Sequence, residues 1–361
     1  MPVKTSILAI ILLTFILSCG KSGSSDPVTP PPVQDTTPVP ASTTFTNPLL
    51  TSGPDPWVAQ KDGYYYYTHT LGNKIAIWKT TRMDELYKAS PVTVWSAQPN
   101  TSYSADIWAP ELHFLDNKWY LYFAADNNGD NSTHRVYVLE NASADPTTGT
   151  WSMRGKLSDI TNKWAIDASV FTYHDTAYEI WSGWQGDVDG EQDIFIAKLS
   201  NPYTIGSARV LIAKPTYDWE TKITAGINVT INEGPEALIN NAGNLFITFS
   251  AGGCWSDDYS LGLLSLKEGG DPMNAADWTK NPVPVFTKNT NGAYGPGHNG
   301  FFKSPDGTED WILYHANSSS GQGCGDARSP RMQKFTWKAD GTPDFGSLVS
   351  AGAAIAKPSG E

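Results

Sequence analysis

The sequence predicts an all-β protein, and within that class a five-bladed β-propeller. Two observations carry this reading. Gly and Pro supply 32 and 25 of the 361 residues, and aromatic residues reach 12% while charged residues reach only 17%. Frequent turns with many aromatics disfavour long helical bundles and coiled coils, which need Ala-, Glu-, Lys- and Leu-rich periodic stretches. Second, from residue 45 onward a group of short strands broken by turns recurs five times, at a period typical of propeller blades.

Along the chain, residues 1–19 read as an export signal: Lys4 is followed by an apolar run from Ile7 to Leu17, too short to cross a membrane. The run ends Ile16-Leu17-Ser18-Cys19-Gly20, which resembles the lipobox of bacterial lipoproteins, with Cys19 as the lipidated residue. Residues 20–44 are rich in Pro, Thr and Ser and cannot bury enough surface to order themselves, so they read as a disordered tether. Residues 45–361 form the propeller domain. The expected location is the bacterial cell envelope, at the outer membrane or cell surface through the lipid anchor alone, or else secretion.

The first blade reads as strands over 57–60, 64–70 and 75–80, with Lys61-Asp62-Gly63 as a hairpin turn. The second covers 111–115, 118–124 and 135–140, with Asp116-Asn117 between its first two strands. The third covers 168–173, 177–182 and 193–199; the fourth 237–240, 244–250 and 260–266; the fifth 300–303, 310–315 and 331–336. Middle strands such as Trp119-Tyr120-Leu121-Tyr122-Phe123 are apolar on both faces, as in sheets covered on both sides.

A polar residue stands at the entrance to each first strand: Asp55, Glu111, Asp167, Glu233 and His298, recurring after 56, 56, 66 and 65 residues. In a propeller the first strand of each blade lines the central channel, so these five should meet at one mouth. A two-domain β-sandwich would not space polar residues this way. Most of the entrances contain Pro, which restricts the backbone around each polar group. Hydrolysis of a glycosidic bond with inversion needs one carboxylic acid to protonate the leaving oxygen and one carboxylate to activate water. A third carboxylate beside the acid keeps it protonated near neutral pH by repulsion.

The segments PDPW (54–57), IWAPELH (107–113), AIDASVF (165–171), NEGPEAL (232–238) and GPGHNGFF (295–302) resemble the blade motifs of glycoside hydrolase family 43. The resemblance spans roughly residues 47–346. It implies a five-bladed propeller that removes arabinofuranose or xylose from plant polysaccharides with inversion. It also implies Asp55 as general base, Glu233 as general acid and Asp167 as the residue that orients the acid and tunes its pKa. His298 matches the family's central His, which often sits beside a calcium or other ion; no cofactor is implied for the chemistry itself. Ala168 departs from the Pro that many members carry after this Asp. The segments GCWSDDYSLGLL (253–264) and RSPRMQKFTW (328–337) are similar to the arabinofuranosidase branch, which implies an exo-acting α-L-arabinofuranosidase. Endo-1,5-α-L-arabinanase, β-xylosidase and a non-catalytic sugar-binding propeller are the alternatives.

Around this trio, Trp57, Trp108 and Trp255 are candidates to stack on a sugar ring, Glu111 to bind it, and Arg328 or Arg331 to reach a hydroxyl or a carboxylate. Without Cys19 the cysteines left are Cys254 and Cys324, an even pair that suggests a disulfide in an oxidising compartment, or else two small buried thiols. Such a bridge would lock two loops near the channel mouth. The expected partner is a neutral plant cell-wall carbohydrate such as arabinan or arabinoxylan, met by a monomer. Nucleic acid is disfavoured by the net charge of −12, because its binding rests on Lys and Arg. Gly295 to Gly300 fits a dinucleotide-binding spacing by chance, since a strand and not a helix follows it. The segment 186–191, Gly-Asp-Val-Asp-Gly-Glu, reads as an acidic hairpin turn. No GxSxG, HExxH or P-loop occurs.

Overall fold

The structure, a computed structural model, describes residues 42–222 and 226–361. The export signal, Cys19 and nearly all of the tether lie outside the described residues. What is described is all-β apart from two 3₁₀ turns, Met83–Lys88 and Ala275–Asp277.

Five units follow one another, each an antiparallel run from an inner first strand outward. Unit one is Trp57–Lys61, Tyr64–Thr68, Lys74–Thr80 and Val92–Ser96. Unit two is Ala105–Leu115, Lys118–Asn127, Asp130–Asn141 and Ser152–Leu157. Unit three is Ala165–Tyr173, Thr176–Gly183, Glu191–Asn201 and Val210–Ala213, with Thr204–Ile205 beside its third strand. Unit four is Thr230–Ile239, Leu245–Ala251, Ser260–Leu266 and Trp278–Lys280; unit five is Tyr294–Lys303, Asp310–Asn317, Ser329–Trp337 and Pro343–Asp344. A short parallel pairing of Glu191 and Gln192 with Thr230 and Ile231 merges units three and four into one nine-stranded sheet. The first strand of each unit packs beside that of the next, and the first strand of unit five packs beside that of unit one.

The core lies between units, which explains the apolar middle strands. In Lys118–Asn127, Trp119, Leu121 and Phe123 cluster with Ile75 and Ile77 of unit one. The intervening Tyr120 and Tyr122 cluster with Trp181 and Phe195 of unit three. Alternate side chains of one strand therefore serve two interfaces, the period-two geometry of a strand buried on both faces. Each full burial of such a side chain contributes about 1.5–3 kcal/mol.

The sequence reading differs at both edges of the units. The sequence reading places three strands in each unit and leaves the fourth unplaced, because segments such as Val92–Ser96 and Ser152–Leu157 are short and largely polar or exposed. The inner strands also begin earlier than expected, at Ala105, Ala165, Thr230 and Tyr294, because the polar entrances mark a bulge within the strand and not its start.

The ends of the described chain meet. Thr44–Thr46 pairs with Ala354–Ala356. Beyond it, Lys357 Nζ bonds Asp84 at 2.9 Å, Glu361 Oε1 accepts the Met83 N–H at 2.9 Å, and the Ser359 N–H donates to Glu309 of unit five at 3.1 Å. The last residues thus fasten unit one to unit five.

Candidate active site

The site grows from an irregularity repeated in the inner strands. In unit two Trp108 pairs with Ala124, yet the next pair is Glu111 with Tyr122, so one residue is extra. The same bulge lies between Ile166 and Ser169, Glu233 and Glu236, and Gly297 and Gly300. In each, the residue after the last regular pair is left-handed: Ala109 (φ 43°), Asp167 (54°), Gly234 (53°) and His298 (45°). In unit one Asp55, also left-handed at φ 55°, stands just before the strand. Such bulges re-aim side chains, and left-handed non-glycine residues persist only where surroundings hold them.

This geometry corrects the repeat as marked in the sequence. The structurally equivalent positions are Asp55, Ala109, Asp167, Gly234 and His298. Glu111 stands two residues beyond its unit's left-handed position, and Glu233 stands one residue before it. Their even spacing with the other three reflects different insert lengths between units. The consequence is two layers. Asp55, Asp167 and His298, with the pre-bulge residues Trp108, Ile166 and Glu233, line one cavity of about 400 Å³. Glu111, Ser169 and Glu236 follow the bulges, are buried and do not line it.

The cavity rim draws on the region joining the second and third strands of every unit: Thr70, Asn131, Asp189, Trp255 and Arg328. A disulfide joins Cys254 to Cys324, tying the loops that carry Trp255 and Arg328. At Gly253 (φ 72°) a Cβ would collide with the Trp255 ring, so the loop needs glycine there on both counts.

The three carboxyls differ in setting. Burial, the largest single influence, would push Asp55 up, and it is opposed most by the Arg328 guanidinium, 2.8 Å from Oδ1, ahead of His298 and His315. With the Thr70 hydroxyl donating to Oδ2 at 2.7 Å, these groups together hold Asp55 well below the usual carboxylate range. Thr70 in turn accepts the Ala109 N–H at 2.7 Å, linking the entrances of units one and two. Burial pushes Glu233 up to about 7; the Tyr259 hydroxyl donating to Oε1 at 2.8 Å opposes this, and the Asp55 charge adds to it. Asp167 is pushed up by burial and by the Glu233 and Asp55 charges, and its Oδ2 accepts the Gly234 N–H at 3.1 Å. The settings thus favour the protonated form of Asp167 and Glu233 and the ionised form of Asp55.

Of the other expected site residues, Trp108, Trp255, Arg328 and His298 line the cavity, and Trp57, Glu111 and Arg331 do not. The Trp57 indole N–H donates to the Leu112 carbonyl at 2.9 Å and its ring packs on His113, so it is spent on packing. Glu111 bonds His113 at 2.8 Å in the layer below. Arg331 is fully buried, with Nη2 donating to Ser318 Oγ at 2.9 Å. Trp164, Asp189 and Gln192 line the cavity and escaped the sequence reading. Asp189 sits in the acidic 186–191 segment that reads as a plain turn, and only the spatial meeting of five rim segments reveals it.

Comparisons with known proteins agree with this geometry. The family model described as glycosyl hydrolases family 43 matches residues 45–343. The chain belongs to glycosyl hydrolases family 43. It is 40% identical over 329 residues to an extracellular exo-α-(1→5)-L-arabinofuranosidase of Streptomyces avermitilis, covering 89% of this chain and 67% of that protein. A protein of the same name from Streptomyces chartreusis is 36% identical, with 75% of this chain and 82% of that one covered. A crystal structure of an α-L-arabinofuranosidase from Lactobacillus brevis superposes with a TM-score of 0.79 at 36% identity, covering 86% of this chain and 98% of that one.

The ion that the family resemblance sets beside His298 finds no matching ligands. Among the described residues no group of three or more His, Cys, Asp or Glu side chains is placed to hold a metal. His298 instead has its N–H bonded to Ser250 Oγ at 2.8 Å and its Nδ1 3.4 Å from Asp55 and 4.0 Å from Asp167. Burial pulls its imidazole below the ordinary histidine range. The residues present do not fit the ion, and no step is routed through one.

Proposed function

We propose that this chain is an inverting, exo-acting α-L-arabinofuranosidase working on arabinose-containing plant carbohydrates, its five units forming a closed five-bladed propeller around the cavity. The opposed protonation of Asp55 and Glu233 on one cavity carries the reading. Asp55, ionised and steadied by Arg328 and Thr70, takes a proton from water as that water attacks the anomeric carbon. Glu233, protonated near neutral pH, gives its proton to the departing glycosidic oxygen. Asp167 repels the anion of Glu233 and, through the Gly234 N–H, is tied to the residue next to the acid. Trp108 and Trp255 offer flat apolar faces for the sugar. A sugar-binding module would need no such division of charge, and the names of the relatives support arabinose over xylose.

The test is hydrolysis of linear α-1,5-linked arabino-oligosaccharides followed by proton NMR. Release of single arabinose units, with the inverted β-anomer seen first, supports the reading. Early internal fragments would favour an endo-acting arabinanase, and retained α-anomer would refute single displacement. The domain from residue 45 onward is taken to work as a monomer, held at the cell envelope through a lipidated Cys19 and the 20–44 tether. Cys19→Ala should then move the protein from the membrane fraction to the soluble one; identical partitioning of mutant and parent would rule the anchor out.

A further inference from the structure

The proposed base and acid sit on non-adjacent units, one and four, so their separation has to be fixed by something that reaches both. Asp55 is left-handed, at φ 55°. Its N–H donates to Nδ1 of His315 at 3.0 Å, across 260 residues of sequence. His315 lies on the second strand of unit five and is fully buried. Because Nδ1 accepts, the ring proton sits on Nε2; burial and the Arg328 charge keep the imidazole neutral. The ring stacks parallel to Tyr259, at 5.8 Å between centroids and 7° between planes. Tyr259, on the unit-four side, donates its hydroxyl to Glu233 Oε1 at 2.8 Å. The stack depends on its neighbour: a Cβ on Gly297 would collide with the Tyr259 ring. Neither Tyr259 nor His315 lines the cavity, so neither is placed to touch a sugar.

We propose that Tyr259 and His315 are positioning residues, a stacked pair that ties the main chain of the general base to the carboxyl of the general acid and so sets the gap into which water and sugar must fit. The inference rests on the acid and base roles proposed above. His315 holds a left-handed aspartate that has no glycine-like freedom of its own. Tyr259 orients the Glu233 carboxyl and favours its ionised form.

Three variants separate these contributions. His315→Phe keeps a flat ring without the acceptor, His315→Asn returns an acceptor near Nδ1 without the ring, and Tyr259→Phe keeps the ring without the hydroxyl. Each is measured for kcat and KM on 4-nitrophenyl α-L-arabinofuranoside and 4-nitrophenyl β-D-xyloside, after circular dichroism shows the wild-type fold. Misplacing a catalytic group by an ångström costs about 10²-fold, so His315→Phe should lose kcat on that order with KM little changed, and His315→Asn should recover part of it. Read on an oligosaccharide of the pentose that the wild type cleaves, whose departing hydroxyl needs the acid, Tyr259→Phe should move the basic limb of the pH–rate profile to higher pH, since removing a donor to the carboxylate raises Glu233. Equal losses in the two His315 variants, wild-type kcat in His315→Phe, or an unmoved limb in Tyr259→Phe would overturn the proposal. If His315→Phe does not fold, the Tyr259→Phe limb decides. The ranking is read on whichever pentoside the wild type cleaves: cleavage of the xyloside alone sinks the arabinose reading and leaves this test intact, and cleavage of neither overturns both.

Discussion

The two ends of each inner strand obey different rules. Below the bulge, pairing is regular and side chains are spent on packing: Trp57 donates to Leu112, and Leu112 joins the apolar cluster between units one and two. At the bulge, pairing breaks, the backbone turns left-handed, and Asp55, Asp167, Glu233, His298 and Arg328 are gathered around one cavity. Local pairing energy has been given up where the chemistry is arranged. The irregular end keeps its shape because the regular end, two or three residues away, cannot shift.

This contrast breaks first at Asp55 and Glu233. Asp55→Ala removes the proposed general base, so kcat/KM should fall by roughly 10²–10⁴-fold on aryl and natural arabinosides alike. Glu233→Ala should lose as much on oligosaccharides and far less on an aryl substrate, whose leaving group departs with little protonation. Steady-state kinetics on the two substrates check both, and the reverse pattern would exchange the two roles. Glu233→Ala should leave the melting temperature unchanged, whereas Asp55→Ala should lower it, because the Arg328 guanidinium loses its carboxylate partner.

The regular end should respond the opposite way. Leu121 is fully buried between units one and two, and Leu121→Ala should cost about 2–5 kcal/mol of stability. The kcat of the folded fraction should stay near wild type, as urea denaturation paired with assays at saturating substrate would show. Collapse of kcat without loss of stability would erase the distinction between the two ends.

A smaller effect is expected from pH. A group raised in the folded state loses its favourable proton as pH climbs through the raised value. With Glu233 near 7, activity should therefore fall on the alkaline side from about there, while the acid limb lies far lower because Asp55 is held down. Asp167→Asn removes a repelling charge, so the alkaline limb should move to lower pH; a pH–rate profile of kcat measures it. The smallest effect should come from Trp57→Phe. Losing one indole hydrogen bond costs on the order of 1 kcal/mol. It should leave kcat/KM unchanged, where a sugar-stacking residue would raise KM.

Legibility in the sequence follows the same divide. The strand 118–124 reads plainly because its residues are apolar on both faces, and the structure gives each face its own partner. The trio reads through motif and spacing, since Asp55, Asp167 and Glu233 stand amid Pro, Gly and Trp. What the sequence hides is the extra residue at each bulge, which shifts Glu111 and Glu233 out of step with Asp55, Asp167 and His298. His315 and Tyr259 are hidden for another reason. In the sequence His315 ends an apolar strand and Tyr259 ends a polar loop, and nothing local says that their polar atoms meet groups 260 and 26 residues away. Arg331 shows the converse: an arginine two residues after a strand begins reads as a ligand contact, yet the fold buries it.

The ribbon of Thr44–Thr46 on Ala354–Ala356 makes the beginning and end of the described chain neighbours in space. The order of units along the chain is therefore one of several that could give the same contacts between units. Joined by a short peptide and reopened in a connection between units away from the rim, the chain would be a circular permutant with every bulge and every interface between units preserved. The new ends would then lie elsewhere on the domain without touching the cavity. That is a way to choose which face of the domain is presented to a substrate.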